Sequence, residues 1–354
     1  VTAPRIEIDL RKISHNAKYL NNLYAANGIS ITGVTKGVCG APEIAKVLVK
    51  AGITTLADSR IENIRKMCQA SIEAQFLLLR TPAPSQAEST VNYCDISLNS
   101  EILVIKELSK YAVENNITHK IVLMVELGDL REGLMQEFLV ETVEEVNNME
   151  GIRLVGIGTN FACFGGVKPS KEKLEHLSLL AKAIEDKFRI TLEVVSGGNS
   201  ANYDWFMSTK DVGMVNNLRL GESIYLGCET LERKPIPGLF TDAFKLVAEV
   251  IESKVKPSKP YGEIAQDAFG NVPEFQDYGQ MTRSILGIGL QDVLVSGLTP
   301  CVNINILGAS SDHIILDAKK IDLKVGDEVE FTMNYGALLS SMTSPYVLKT
   351  YHEV

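Results

Sequence analysis

The stretch that decides the fold is ITGVTKGVCGAPEIAKVLVKAGITTLADSRIENIRKMCQ, residues 31–69. It opens on a short β-branched run, Ile31 to Thr35, passes through the polar Lys36, and continues from Ala41 to Ala51 with apolar residues at helical spacing. The same order then repeats. Ile53 to Ala57 reads as extended, Asp58-Ser59-Arg60 as a polar end, and Ser59 to Gln69 as a helix whose Ser59 and Glu62 stand at capping-box spacing. Strand, polar cluster and helix in that order form a βα unit of a parallel sheet.

Six further runs follow the pattern: Ala74 to Leu79, Cys94 to Leu98, Lys120 to Glu126, Arg153 to Gly158, Leu192 to Ser196 and Val215 to Leu220. Helical periodicity fills the segments between them, at Ser85 to Val91, Ser100 to Asn115, Gln136 to Met149, Ser170 to Lys187 and Asn199 to Ser208. Eight βα units point to a closed (β/α)8 TIM barrel. An open doubly wound sheet is the alternative; against it, no GxGxxG follows the first run, and the Gly-rich turns lie after the seventh and eighth, where barrels bind phosphate.

After Pro237 the texture changes to alternating strand-like segments, Phe244 to Ile251, Ser284 to Ile288, Val302 to Leu307, His313 to Leu316 and Glu328 to Phe331, with few helical signals. The expectation is an α/β chain with the barrel at residues 1–235 and a C-terminal all-β domain at 236–354. The segment Leu231 to Pro237 is read as a linker, and the first ten or so residues are allowed to join the β domain.

Composition narrows the function. The 354 residues carry 35 Lys+Arg against 44 Asp+Glu, a formal charge of −9, which leaves no basic excess for a nucleic-acid backbone. No run nears the roughly 20 apolar residues that cross a bilayer, so no membrane partner is expected. Arg5, Glu7 and Asp9 stand where a signal peptide would be apolar, and the six cysteines are scattered without a CxxC. A cytoplasmic protein is therefore expected. The five histidines hold no metal-ligand spacing, which disfavours a metalloenzyme.

In such a barrel the C-terminal ends of the strands face the active site. Here they end in Lys36, Asp58, Arg80, Asn99, Glu126 with Asp129 and Arg131, Thr159-Asn160, Ser196 to Ser200, and Arg219 to Ser223. A lysine desolvated beside Arg131 and Arg219 has a depressed pKa, as a Schiff base or a general base requires; the other reading is a surface lysine snorkelling from a strand end. Gly197-Gly198-Asn199-Ser200, opening a helix, is a candidate anion cradle. One lysine, two arginines and two late Gly/Ser loops on one face match a lysine-tethered, phosphate-bearing cofactor.

With those residues in hand, the chain resembles the fold-type III pyridoxal-phosphate enzymes, the alanine racemase superfamily, and within it most closely the ornithine racemase subgroup. The resemblance runs from Pro4 to Tyr351. It rests on GVTKGVCGAPEIA (33–45), LADSRIENI (56–64), VELGDLREG (125–133), VSGGNSANY (195–203), LRLGES (218–223), QDAFGN (266–271) and GASSDH (308–313). It implies a racemase acting on ornithine, or on lysine, alanine or a broader set of amino acids, with pyridoxal 5'-phosphate as cofactor and a head-to-tail homodimer sharing its active sites. A non-catalytic cofactor-binding protein resembles the barrel alone, and the β domain argues against it; a related decarboxylase would carry a Cys-Glu motif in the β domain, whereas Cys228-Glu229 lies at the barrel's end.

The resemblance also implies residue roles. Lys36 tethers the cofactor, Arg219 faces the pyridine nitrogen, and Ser200, the N–H groups of Gly221 and Glu222, and Tyr335 hold the phosphate. Asn160 lies beside the cofactor, and Arg131 hydrogen-bonds to the phenolic oxygen or the substrate carboxylate. Two departures stand out. The family's Gly-Tyr-Ala-Asp motif is Gly289-Leu290-Gln291-Asp292 here, and the family histidine after the sixth strand is Asn160. Leucine transfers no proton. A second base is then sought in Cys163, or in Asp312 or His313 of a partner's β domain, with a single-base mechanism through Lys36 as the alternative. For a substrate side-chain ammonium, Asp129, Asp267 and Asp292 are the carboxylate candidates.

Overall fold

The computed structural model describes residues 2–353. Strand β1 (Arg5–Asp9) and helix α1 (Leu10–Ala25) lead into eight parallel strands. These are β2 (Ser30–Val34), β3 (Thr55–Asp58), β4 (Gln75–Leu78), β5 (Ile96–Asn99), β6 (His119–Met124), β7 (Ile152–Gly158), β8 (Val194–Asn199) and β9 (Asn217–Leu220). They close in sequence order into a barrel. Closure is made by β2 against β9, with Ser30 opposite Asn217 and Gly33 opposite Leu220.

All eight expected runs form barrel strands, because each is a short β-branched or apolar stretch cut off by polar or Gly-rich residues. The helices α2 (Pro42–Lys50), α3 (Ile61–Gln69), α4 (Ala87–Tyr93), α5 (Ile102–Glu114), α6 (Gln136–Asn147) and α7 (Lys171–Phe188) fall where periodicity places them. Ser170 caps α7 by accepting the Lys173 N–H at 3.3 Å. Ser59 does not cap α3: the first helical residue is Ile61, its N-cap is Arg60, and the turn is held by Asp58, which accepts the Arg60 N–H at 2.9 Å. Between β8 and β9 the expected helix is present as a single turn at Ser200–Asn202 running into α8 (Tyr203–Ser208), and α9 (Glu222–Leu226) follows β9.

The barrel's interior is divided by chemistry. Val34, Ala57, Leu77, Ile96, Leu98, Val122, Met124 and Val155, from β2 through β7, pack into one apolar cluster. Across β8, β9 and β2 a polar chain replaces it: Ser196 Oγ donates to Asn217 Oδ1 at 2.8 Å, and Asn217 Nδ2 donates to Thr32 Oγ1 at 3.0 Å. Buried polar groups are tolerated there because each finds a partner.

The segment expected as a linker belongs to the barrel unit instead. The buried Glu229 carboxylate accepts the N–H groups of Leu231, Glu232 and Lys234 at 2.6, 3.0 and 2.7 Å, folding 229–235 into a closed turn. The described chain divides at Thr241/Asp242 into two compact units: residues 11–241, and a second comprising residues 2–10 with 242–353.

The second unit is an antiparallel sheet in the order β12 (Leu298–Pro300), β15 (Glu328–Met333), β10 (Phe244–Pro257), β11 (Gln280–Leu286), β14 (Ile314–Asp317), β13 (Asn305–Ala309). β1 pairs antiparallel with β10 and parallel with β16 (Leu348–His352). One helix, α10 (Tyr335–Thr343), departs from the all-β expectation; Asn334 caps it by accepting the Ala337 N–H at 3.0 Å. Among the described residues no helix is long and apolar enough to cross a membrane.

Candidate active site

Lys36 is the second residue beyond β2, and opens a single turn spanning Lys36–Val38. The backbone leading into it is held by two hydrogen bonds. Thr35 donates its hydroxyl to the buried Asp58 carboxylate at 2.8 Å, and Tyr225 donates its hydroxyl to the Val34 carbonyl at 2.9 Å. Asp58 also accepts from Asn63 Nδ2 at 3.0 Å, and burial pushes its carboxyl above the usual range. Lys36 Nζ makes no hydrogen bond or ion pair among the described residues. Burial pushes its ammonium down; the nearby guanidinium groups of Arg131 and Arg219 act in the same sense, and Cys163 and Asp58 oppose them. The result is an amine more readily neutral than a surface lysine.

Arg219, on β9, is 5% exposed and has no carboxylate partner among the described residues. Its Nη1 donates to Ser196 Oγ, its Nη2 to the Thr159 carbonyl at 2.7 Å and more weakly to Asn160 Oδ1 at 3.4 Å. Its Nε–H has no partner among the described residues. Burial pulls the guanidinium down to about 10, which still leaves it charged at neutral pH. A buried cation held only by neutral acceptors, with its Nε–H spare, is suited to receive an acceptor atom from a bound group. Asn160 adds to this: its Oδ1 takes Asn199 Nδ2 at 3.1 Å, and its own buried Nδ2 is without a partner.

Two loops carry the remaining reactive side chains. Arg131, after β6, donates Nη1 to the thiol sulfur of Cys163, after β7, at 2.8 Å. Its Nε and Nη2 form a bidentate pair with Glu132. Burial works against the Arg131 charge, but Glu132 outweighs it and the guanidinium pKa is raised. Lys36, Arg131, Cys163 and Arg219 therefore share one electrostatic neighbourhood at the C-terminal ends of the barrel strands.

The turn read as a candidate anion cradle centres on Ser200. Its hydroxyl lies 3.0 Å from Ser223 Oγ and accepts the Ser223 N–H at 3.3 Å, joining the turn after β8 to that after β9. Gly221 is closely packed: a Cβ there would sit 3.1 Å from Val34 Cβ and the Val34 carbonyl, so Val34 would have to give by a few tenths of an ångström. Glu222 pairs with Arg233, and burial raises its carboxyl pKa. Arg80, at the end of β4, is exposed and forms no ion pair among the described residues.

Asp312, His313 and Tyr335 are in the second unit. Asp312 accepts from Ser311 Oγ at 3.0 Å and pairs with His313 Nδ1 at 3.1 Å. Of the carboxylates considered for a substrate ammonium, two are engaged internally: buried Asp129 takes three backbone N–H groups, and buried Asp292 takes the Ser344 hydroxyl at 2.6 Å. Asp267 closes a turn in an exposed loop, accepting the Phe269 and Asn271 N–H groups at 2.9 Å each. Sequence reading placed Ser196 and Asn199 at a strand end without a role toward Arg219 and Asn160, which they hold; it missed Glu132, discoverable as the carboxylate adjoining Arg131.

Residues 8–228 match the family model "Alanine racemase, N-terminal domain", a span that holds the barrel with Lys36, Arg131, Arg219 and the turns after β8 and β9. The chain belongs to the alanine racemase family. Across this family it is 41% identical to the ornithine racemase of Acetoanaerobium sticklandii, over 98% of this chain and 99% of that one. It is 40% identical to the lysine racemase of Thermotoga maritima, over 98% of each. The fold matches the crystal structure of alanine racemase from Bacillus anthracis with a TM-score of 0.78 at 18% identity, covering 100% of this chain and 96% of that one. That likeness concerns the barrel followed by a β domain. The family assignment rests on the sequence matches.

Proposed function

We propose that this protein is a pyridoxal 5'-phosphate-dependent amino-acid racemase acting on a basic amino acid, ornithine first and lysine second. The observation that carries the reading is the coincidence, at one end of the barrel, of an unpaired, destabilised Lys36 ammonium and a buried Arg219 with a spare Nε–H. Whole-chain similarity to an ornithine and a lysine racemase supports the substrate class.

The residues present fit the cofactor. Lys36 would tether it, and Ser200 with the N–H groups of Gly221 and Glu222 would hold its phosphate, with Tyr335 added on the family resemblance. Bound there, the group supplies an electron sink that acidifies the substrate's α-proton. Arg219 keeps its own proton at neutral pH, so its Nε–H would leave the ring nitrogen unprotonated and moderate that sink. Moderation favours return of the proton to Cα over side reactions. Asn160 Nδ2 and Arg131 would orient oxygens of the cofactor or of the substrate carboxylate.

Inversion by two bases needs a proton donor or acceptor on each face of Cα. Lys36 Nζ, neutral at lower pH than a surface lysine, would serve one face. Cys163 Sγ would serve the other, as it lies in the electrostatic field of Lys36 and takes a hydrogen bond from Arg131. Asp312 is a poorer candidate, since Ser311 and His313 hold its carboxyl below the usual range. A homodimer in the cytoplasm is the proposed setting: all six cysteines are free thiols, and Leu130 and Phe164, 70% and 77% exposed beside the Arg131–Cys163 pair, offer apolar surface to a second copy.

The test is incubation of the holoenzyme with enantiopure L-ornithine, L-lysine and L-alanine in D2O, following inversion by chiral chromatography and α-deuteration by mass. Fastest inversion of ornithine is expected. Absence of α-exchange on all three substrates, in protein that binds the cofactor, would refute the racemase reading.

A further inference from the structure

The buried carboxylate of Asp129 is only 2% exposed, and no step above uses it. Its Oδ1 accepts the N–H groups of Cys163 and Val167, each at 3.3 Å, and its Oδ2 accepts that of Phe164 at 3.0 Å. Its own carbonyl accepts the Gly165 N–H at 3.1 Å. One residue of the loop after β6 thus binds four backbone amides of the loop after β7. Within the second loop the Ala162 N–H closes onto the Val167 carbonyl at 2.8 Å. The fit leaves no slack: a Cβ on Gly165 would lie 2.6 Å from the Asp129 carbonyl oxygen.

The backbone on either side is held in an unfavourable form. Leu130, just before Arg131, has φ +52°, and Ala162, just before Cys163, has φ +46°. Non-glycine residues persist in the left-handed region only where surrounding contacts enforce it. Here both sit next to the residues whose side chains meet, Arg131 Nη1 and Cys163 Sγ. A carboxylate accepting several N–H groups is the strongest local enforcer available, because charged acceptors form the stronger bonds.

We propose that Asp129 is a positioning residue, which clamps the loop after β7 to the loop after β6 and so sets the Cys163 thiol against Arg131 at the proton-transfer site. This inference rests on the reading of Cys163 as the second proton carrier. Asparagine at position 129 would keep one acceptor oxygen and turn an NH2 group toward backbone donors, so the clamp opens without a change in size. Gly165→Ala would separate the same loops sterically, without touching a charge.

The experiment compares wild-type holoenzyme with Asp129→Asn and Gly165→Ala. Amide hydrogen exchange of the peptide spanning residues 159–168 reads the clamp directly and does not depend on activity. Both variants are expected to lose protection in that peptide while keeping the visible absorbance of bound cofactor. Racemisation of ornithine should fall about a hundredfold, the scale of a reacting group misplaced by about 1 Å. It falls equally in both directions, because enantiomers are equally stable. The distinguishing readout is α-deuteration of recovered substrate: the enantiomer whose α-proton faces Lys36 keeps exchanging without inversion, and the other does not. Loss of peptide protection with unchanged racemisation overturns the proposal, as does an equal loss of α-exchange from both enantiomers. Failure of the underlying reading shows differently, as wild-type protein that exchanges no α-proton, and it overturns the positioning role with it.

Discussion

Acidification should weaken the barrel through one residue. His119, at the start of β6, is 2% exposed, and its Nε2 lies 2.8 Å from Ser97 Oγ. Asn99 Nδ2 donates to that same Ser97 oxygen at 2.8 Å, so the serine proton points to the imidazole, and Nε2 accepts it in the neutral ring. The Cys94 carbonyl takes the proton of the other ring nitrogen. Protonation of Nε2 would set donor against donor. Burial accordingly depresses the His119 pKa from 6.5 to about 4. The unfolded chain binds this proton below about pH 6.5 and the folded chain does so only below about pH 4, so stability falls as pH drops through that window. The full effect of such a shift is about 3 kcal/mol, of which about 2 kcal/mol is lost between pH 7 and pH 5. Trp205, the single tryptophan, is buried in the barrel unit and reports its unfolding by fluorescence. Urea titrations of wild type and His119→Gln at the two pH values give the test. The variant should start less stable and lose about 2 kcal/mol less on acidification. Parallel losses in the two proteins would refute the tautomer and burial argument.

Further outcomes follow from the site. Lys36→Ala should abolish the visible absorbance of bound cofactor while leaving the Trp205 unfolding curve nearly unchanged; a persisting band would remove Lys36 as the tether. Ser196→Ala strands Arg219 Nη1 and the Asn217 Oδ1 acceptor in the interior, and should cost about 2 kcal/mol in urea unfolding, with Ser196→Thr milder. Gly198, at φ +136°, would place an alanine Cβ 2.3 Å from Asn202 Oδ1. Gly198→Ala should therefore cost about 1–3 kcal/mol and weaken cofactor binding measured by absorbance titration, because the turn carrying Ser200 must move. Cys163→Ala should preserve α-exchange of one ornithine enantiomer and suppress that of the other; equal exchange of both would remove the thiol from the reaction.

Much of the barrel was legible because its signals are local. Runs such as Ile31 to Thr35 and Ile53 to Ala57 carry β-branched residues bounded by polar ones, and strand ends follow from where each run stops. Lys36 and Arg219 were visible for the same reason: each stands at the end of such a run. Local spacing misled at Ser59, where the Asp58 side chain took the capping role, and at 231–237, where two prolines suggested a linker but the Glu229 carboxylate gathered the turn into the barrel unit. The helix α10 was missed because its apolar residues are not confined to one face, so no helical stripe marks it.

What the sequence determined by itself is the order of elements and the kinds of groups at the strand ends: an amine, guanidinium groups and Gly-rich turns within an acidic chain. Tertiary structure decided which of them meet. Arg131 and Cys163 are 32 residues apart and face each other only because successive strands lie side by side in the closed barrel. Asp129, in sequence a candidate for binding substrate, becomes in the fold an acceptor for the backbone of the neighbouring loop. A carboxylate satisfies the nearest unpaired donors, and which donors are nearest is set by chain closure, a property no local pattern contains.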